Sequence, residues 1–340
     1  MKKIRVEDAV GQTLCHDITA IFADGQKGAR FKRGHVITKE DVPVMLDIGK
    51  YHVFVWEPGV DEVHEDDCAI ALTTAISGDN IVFQGPSEGK MSLSAAIDGM
   101  FLVNREALRA INAVDDFTVA CIPNHQKVKA GDQLAGARIV PLVTKRRNLE
   151  KALGIARENF PVFSVLPFKP LKCGIIITGS EVYYGRIEDR FEPVMKSKLA
   201  AYGADILGFV KCPDDLSVIS GAIKDFMDKD ADLIFLTGGM SVDPDDLTPT
   251  SIRESGAKVV TQGVPMQPGN MLMMAYLGKT MLLGVPGASM HFPITSLDTF
   301  LPRIFAGIEI KKEDIAGLGE GGLCMCCKVC HYPTCYFGRG

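Results

Sequence analysis

The stretch Asp232-Leu-Ile-Phe-Leu-Thr237-Gly238-Gly239-Met240-Ser241-Val242-Asp243-Pro244-Asp245-Asp246-Leu247-Thr248-Pro249 decides the fold. Its residues Leu233 to Leu236 are an apolar run bounded by Asp232, as expected of a parallel strand covered on both faces. Two glycines then stop the strand, a polar acidic loop follows, and TPTSIRESG reads as a helix. A strand, a loop with unusual chemistry and a helix, in that order, form the repeating half of an α/β sheet.

The same alternation extends in both directions. Upstream lie KCGIIIT as a strand, FEPVMKSKLAAYG as a helix ending at Gly203, ADILGFVKC as a strand and LSVISGAIKDFMDK as a helix. Downstream lie KVVTQG and KTMLLGVPG as strands, and SMHFPITSLDTFLPRIFAG as one long closing helix. Residues 172–310 therefore read as an α/β domain with a doubly wound, mostly parallel sheet. Before it, residues 145–171 read as a helix and a Pro-rich linker, because the three prolines of PVFSVLPFKP disfavour both helix and central strand. Residues 65–144 read as β-rich through CAIALTTAI, NIVFQG, FTVACIP and RIVPLV, with a short helix in REALRAINAV. Residues 1–64 read as a mixed α+β region. There TKEDVPVMLDIG carries a capping-box-like start at Thr38 and Asp41 and a stop at Gly49, and YHVFVW is strand-like.

In an open α/β sheet, ligands bind beyond the carboxyl ends of the strands. Three such ends carry distinctive loops: Thr178-Gly179-Ser180-Glu181, the Thr237–Pro249 loop, and Gly284-Val285-Pro286-Gly287-Ala288-Ser289. Gly238 and Gly239 allow close backbone approach and positive φ. With the Thr237 and Ser241 hydroxyls and a helix start, they suit a phosphate or another anion. Asp243, Asp245 and Asp246 would repel that anion unless they hold Mg²⁺ or orient an attacking group. A plainer reading has Asp245 and Asp246 cap the helix that begins near Thr248. In the first loop Gly179 and Ser180 could contact an anion and Glu181 could accept from a heterocycle. In the third, Pro286-Gly287 sets the turn before the final helix, with Ser289 favoured as its N-cap.

TGSEV, TGGMSVDPDDLTP and GVPG, in this order and spacing, resemble the shared domain of molybdenum-cofactor biosynthesis proteins, the molybdopterin adenylyltransferases and molybdotransferases. The resemblance covers about residues 172–307. It implies that Gly238, Gly239 and Ser241, with Asp246 before the helix, surround the phosphate of molybdopterin and the reacting centre. Asp246 and Asp243 become the catalytic candidates and Asp245 and Asp246 the Mg²⁺ candidates. Thr178, Gly179, Ser180, Glu181, Thr237, Gly238, Gly239, Ser241, Pro286 and Gly287 become the candidates for cofactor binding. Asp243 stands where the molybdotransferases usually carry Gly, and Ala288-Ser289 where they carry Asn-Pro. Segments near the N-terminus, VEDAVGQTLCHDI and FKRGHVITKEDVPVMLDIGKYHVFV, are also similar to parts of the molybdotransferases, differently arranged.

The resemblance implies adenylyl transfer to molybdopterin or molybdate insertion, with ATP, molybdate and adenylylated molybdopterin as ligands and a homo-oligomeric assembly. Two alternatives stand beside it: a non-catalytic carrier that delivers the cofactor to a molybdoenzyme apoprotein, and a nucleotide pyrophosphatase of the competence-damage type.

Charge and composition exclude other classes. A formal net charge of −5 opposes general nucleic-acid binding, which needs clustered cations. No apolar run approaches the roughly 18–20 residues of a membrane span. The N-terminal MKKIRVEDAVGQ lacks the apolar core of a signal peptide, so a cytoplasmic location is expected. Five of the ten cysteines, Cys324, Cys326, Cys327, Cys330 and Cys335, crowd the 320–340 tail. Their spacing suggests Zn²⁺ or an Fe–S centre, soft thiolates would also suit Cu(I), and a redox switch or a disordered tail with incidental thiols are the alternatives. Met271, Met273 and Met274 are expected to pack a core or pocket, Trp56 a core, and His125 and His291 to sit at surface or capping positions.

Overall fold

The computed structural model describes residues 2–21, 27–55, 59, 61–241 and 243–339. Trp56, expected in the core, lies outside them. The chain divides into two compact units: residues 1–96, 103–122 and 131–164 form the first, and residues 97–102, 123–130 and 165–340 the second.

The first unit holds a four-stranded antiparallel sheet in the order Ile81–Ser87, Lys90–Ala95, Gln133–Ile139, Phe117–Cys121. Where CAIALTTAI reads as β-leaning, the structure has a helix, Glu65–Ile76. Its start is well marked. The His64 side chain accepts the Asp66 N–H, and Glu65, Asp66 and Asp67 fill the first turn, where the helix dipole favours negative charge. Cys68, Leu72 and Ile76 bury one face at four-residue spacing. The helix Asp41–Asp47 begins where Thr38 donates both its N–H and its hydroxyl to Asp41 Oδ2, each at 2.8 Å. PVFSVLP is not simply a linker, since Phe163–Pro167 is an edge strand of a three-stranded sheet. An edge position tolerates the N–H that proline lacks.

The second unit contains the six-stranded sheet. Its elements are β1 (Lys172–Thr178), α1 (Phe191–Ala200), β2 (Asp205–Cys212), α2 (Leu216–Met227), β3 (Leu233–Thr237), α3 (Thr248–Glu254), β4 (Lys258–Gln262), β5 (Met273–Leu277), β6 (Thr280–Val285) and α4 (Ser296–Phe305). The spatial order is β2-β1-β3-β6-β5-β4, with the first four strands parallel and the β6-β5-β4 edge antiparallel. The sheet is α/β and mainly parallel, as the alternation dictates. β5 is the strand that the methionine-rich GNMLMMAYLG conceals. The closing helix is shorter than its sequence suggests: a 3₁₀ turn, Gly287–Met290, comes first, and α4 starts only after Pro293.

Strand periodicity divides the core between two layers. Ile175, Ile177, Phe235 and Leu283 pack on one face with Phe191, Met195, Phe300 and Ile304. Ile176, Ile234, Leu236 and Leu282 pack on the other with Ile219, Ile223 and Phe226. Burial of such side chains contributes about 1.5–3 kcal/mol each, which makes the register strongly specified. Among the described residues, no helix is long and apolar enough to cross a membrane.

Candidate functional site

The register brings the functional loops together. Ile177 pairs with Thr237, and Thr237 pairs with Val285, so β1, β3 and β6 end side by side. The three loops that follow therefore open at one edge, on a cleft of about 620 Å³.

Thr178 and Thr248 knit the first two loops. The Thr178 hydroxyl donates to the Thr237 carbonyl at 3.2 Å and lies 3.1 Å from the Thr248 hydroxyl. Thr248 in turn donates to the Gly238 carbonyl at 2.9 Å. Gly238 has φ +93°, and a Cβ there would run into the Thr178 carbonyl. Glycine is thus required both by conformation and by close approach. Gly239 follows at φ +50°. Among the described residues, the N–H groups of Gly239 and Ser241 have no hydrogen-bond partner. Gly284, in β6 just before the third loop, admits Met240, whose Sδ would lie 2.6 Å from a Cβ at that position.

Ser180 is used structurally. Its N–H donates to Asp214 Oδ2 at 2.8 Å, and the Asp214 N–H donates back to Ser180 Oγ at 3.1 Å. The neighbouring Asp215 caps α2 through the N–H groups of Ser217 and Val218. A side-chain hydrogen bond from Ser217 and those backbone donors hold its carboxyl below the ordinary range. Ser289 is not the N-cap expected from the sequence. Thr295 caps α4 in a capping box with Asp298, and the buried Ser289 hydroxyl lies 3.2 Å from the Thr295 hydroxyl.

Of the residues singled out by sequence, Thr178, Glu181, Gly238, Gly239, Ser241, Asp246 and Gly287 line the cleft. Gly179, Ser180, Thr237, Pro286, Asp243 and Asp245 are not among its lining. Asp243 and Asp245 are exposed. The Asp243 N–H donates to Asp246 Oδ2 at 3.0 Å, so one oxygen of Asp246 is already occupied. Among the described residues, no group of three or more His, Cys, Asp or Glu side chains is arranged to hold a metal ion. Neither the carboxylates of the second loop nor Cys324, Cys326, Cys327, Cys330 and Cys335 are gathered into such a group among those residues. Nor is the tail a loose appendage, because Phe337 is buried and Tyr332 donates to the Asp298 carbonyl at 3.1 Å.

The structure adds residues that the sequence did not single out for the site. The charged stretch Ile187-Glu188-Asp189-Arg190-Phe191, with Val182, Met240, Met290 and His291, also lines the cleft. Asp189 Oδ1 accepts the N–H groups of Phe191 (2.8 Å) and Glu192 (3.3 Å), which anchors the start of α1 beside the cleft. The run GRIEDRF carried a signal in its four charges between two helical segments, but only the fold shows that it faces the glycine loop. The cleft thus joins four carboxylates, Glu181, Glu188, Asp189 and Asp246, with Arg190 and His291, and with apolar walls at Ile187, Met240, Met271 and Met290.

This geometry has relatives. Residues 174–306 match the family described as "Probable molybdopterin binding domain", and residues 3–57 match a domain of unknown function. A molybdopterin molybdenumtransferase of Bacillus subtilis is 28% identical over 153 residues, covering 43% of this chain and 35% of that protein. A CinA-like protein of Petrotoga mobilis is 38% identical over 85 residues, or 25% of this chain and 21% of that protein. The chain thus spans only about a fifth to a third of the length of these curated relatives. Among solved structures, the tungsten cofactor synthesizing protein MoaB of Pyrococcus furiosus shares 19% identity over 40% of this chain and 94% of that one, with a TM-score of 0.34. The protein CinA of Thermoplasma acidophilum shares 15% identity over 35% of this chain and 89% of that one, with a TM-score of 0.30. Residues 174–306, the segment that builds most of the second unit's sheet and its cleft, are thus the part of the chain that matches the probable molybdopterin binding domain.

Proposed function

We propose that the protein binds molybdopterin in this cleft and acts in molybdenum-cofactor biosynthesis, by adenylyl transfer to molybdopterin or by molybdate insertion. The observation that carries this reading is the Gly238-Gly239 turn beside Asp246, inside the segment that matches the family, with the N–H groups of Gly239 and Ser241 lacking a hydrogen-bond partner among the described residues. Preorganised N–H donors suit a terminal phosphate and the charge that develops on it. Arg190 adds a cation, and the methionine walls suit a flat heterocycle. Glu181 and Asp246 can accept hydrogen bonds from ring N–H groups or orient an attacking oxygen. A Mg²⁺ ion would supply Lewis acidity toward phosphate oxygens. Since no group of three or more ligand side chains is gathered among the described residues, it would be held as a hydrated ion by one or two carboxylates such as Asp246 together with phosphates of the ligand.

The test is titration of molybdopterin into the purified protein, followed by its turnover with Mg-ATP. Stoichiometric binding that weakens in a Gly238→Ala/Asp246→Ala double variant supports the site, and turnover separates an enzyme from a cofactor carrier. Absence of pterin binding overturns the reading. A second reading, nucleotide pyrophosphate hydrolysis, is favoured by the 38% identity to a CinA-like protein. It predicts hydrolysis of ADP-ribose with no pterin present.

A further inference from the structure

The tail has a chemical character of its own. From Gly321 to Arg339 it carries five cysteines, Met325, His331, Lys328 and Arg339, and no Asp or Glu. Its donors are therefore soft, with nothing to favour Mg²⁺ or Ca²⁺. Two of the five thiols are organised by the backbone. Cys326 adopts φ +49°, a conformation uncommon for a residue with a Cβ. This turn places its N–H 3.4 Å from Cys324 Sγ, and its own thiol 3.7 Å from the Cys324 carbonyl. Cys324 is rooted by packing against the core of the sheet, and its N–H donates to the Gln267 carbonyl at 2.8 Å. Cys326 is exposed. One sulfur is fixed and the other open to solvent.

We propose that Cys324 and Cys326 form a two-thiolate site for a soft monovalent cation of the copper(I) class. A tetrahedral metal needs four donors, and no trio of ligands is assembled among the described residues. A pair of adjoining thiols is enough for a cation that accepts two-coordination, and thiolate softness selects it. On binding, both thiol protons leave to solvent, the two sulfurs become thiolates on the one cation, and no electron is transferred. Affinity therefore rises with pH. The N–H of Cys326 steadies the anionic Cys324 sulfur, and Cys326 supplies the accessible entry side.

The experiment is anaerobic titration of the reduced full-length protein with Cu(I), in competition with bicinchoninate. The wild type is expected to withhold one equivalent. Cys326→Ser, on an exposed side chain, should weaken this at least tenfold with an unchanged melting temperature, whereas Cys330→Ser should leave it intact. Retention of the wild-type affinity by Cys326→Ser overturns the assignment. So does equal loss in Cys330→Ser, which would place the ion on the Cys327/Cys330 pair. Failure of the wild type to compete with the chelator also overturns it.

Discussion

Asp243 and Asp246 hold each other across the acidic loop: the Asp243 N–H donates to Asp246 Oδ2 at 3.0 Å, and the Asp246 N–H donates to the Asp243 carbonyl at 3.0 Å. The carboxylate proposed to act on the ligand thus also closes the loop that presents it. The two roles separate by substitution. Asp246→Asn keeps an oxygen for the Asp243 N–H and removes the charge, whereas Asp246→Ala removes both. If the charge matters, both variants lower turnover of molybdopterin by at least about tenfold, the scale of one charge-assisted hydrogen bond. Near-wild-type turnover in the Asn variant alone would reduce Asp246 to a loop clasp.

Gly238 bears a conformational and a steric demand together. With φ +93° and the Thr178 carbonyl in the path of a Cβ, Gly238→Ala should cost roughly 2–4 kcal/mol of stability. Urea unfolding at neutral pH measures it. A cost below about 0.5 kcal/mol would mean that the turn relaxes easily and is not held by the fold.

The first unit should show a pH signature from one carboxyl. Burial, and then the nearby Asp66, push Glu65 up to about 7. The closest cation, Arg138, lies 3.7 Å away with a partly exposed side chain, and offsets this only in part. The unfolded chain loses this proton near the ordinary glutamate value, whereas the folded chain keeps it until about pH 7. Stability from this group is therefore complete below about pH 4.5 and falls as pH rises toward 7. Glu65→Gln should flatten that decline and be the more stable form at pH 8. Parallel denaturation curves of the two proteins between pH 5 and 8 would contradict it.

The tail should matter to stability as well as to thiol chemistry. Phe337 is 3% exposed and Tyr332 reaches the Asp298 carbonyl. Phe337→Ala should cost about 3 kcal/mol, and deletion of residues 320–340 should lower the melting temperature further. An unchanged melting temperature in the truncated protein would show that the tail packs without contributing.

The α/β sheet was legible because its signals are local. Continuous apolar runs such as KCGIIIT and DLIFLT need cover on both faces, and each is followed by a helix of the right length. The glycine–acid loop was legible as a cleft wall because it follows a strand end, and Gly238, Gly239, Ser241 and Asp246 do line the cleft. CAIALTTAI was misleading, since its apolar residues fit both a buried strand and a helix. The capping by His64 and the three acidic residues of the first turn decided for the helix. The docking of the tail was not legible, because cysteine spacing along a chain says nothing of where Tyr332 and Phe337 pack.

By itself, then, the sequence determined the strand-and-helix alternation of residues 172–310, the position of the loops at the strand ends and the soft-donor character of the tail, because each follows from periodicity or composition along a few residues. Only the tertiary structure decided that Thr178 and Thr248 lock the glycine turn, that Asp243 and Asp245 stand outside the cleft while Arg190 and His291 enter it, and that residues 97–102 and 123–130 cluster with the second unit. Those outcomes depend on register and packing between segments tens of residues apart, which no local pattern encodes.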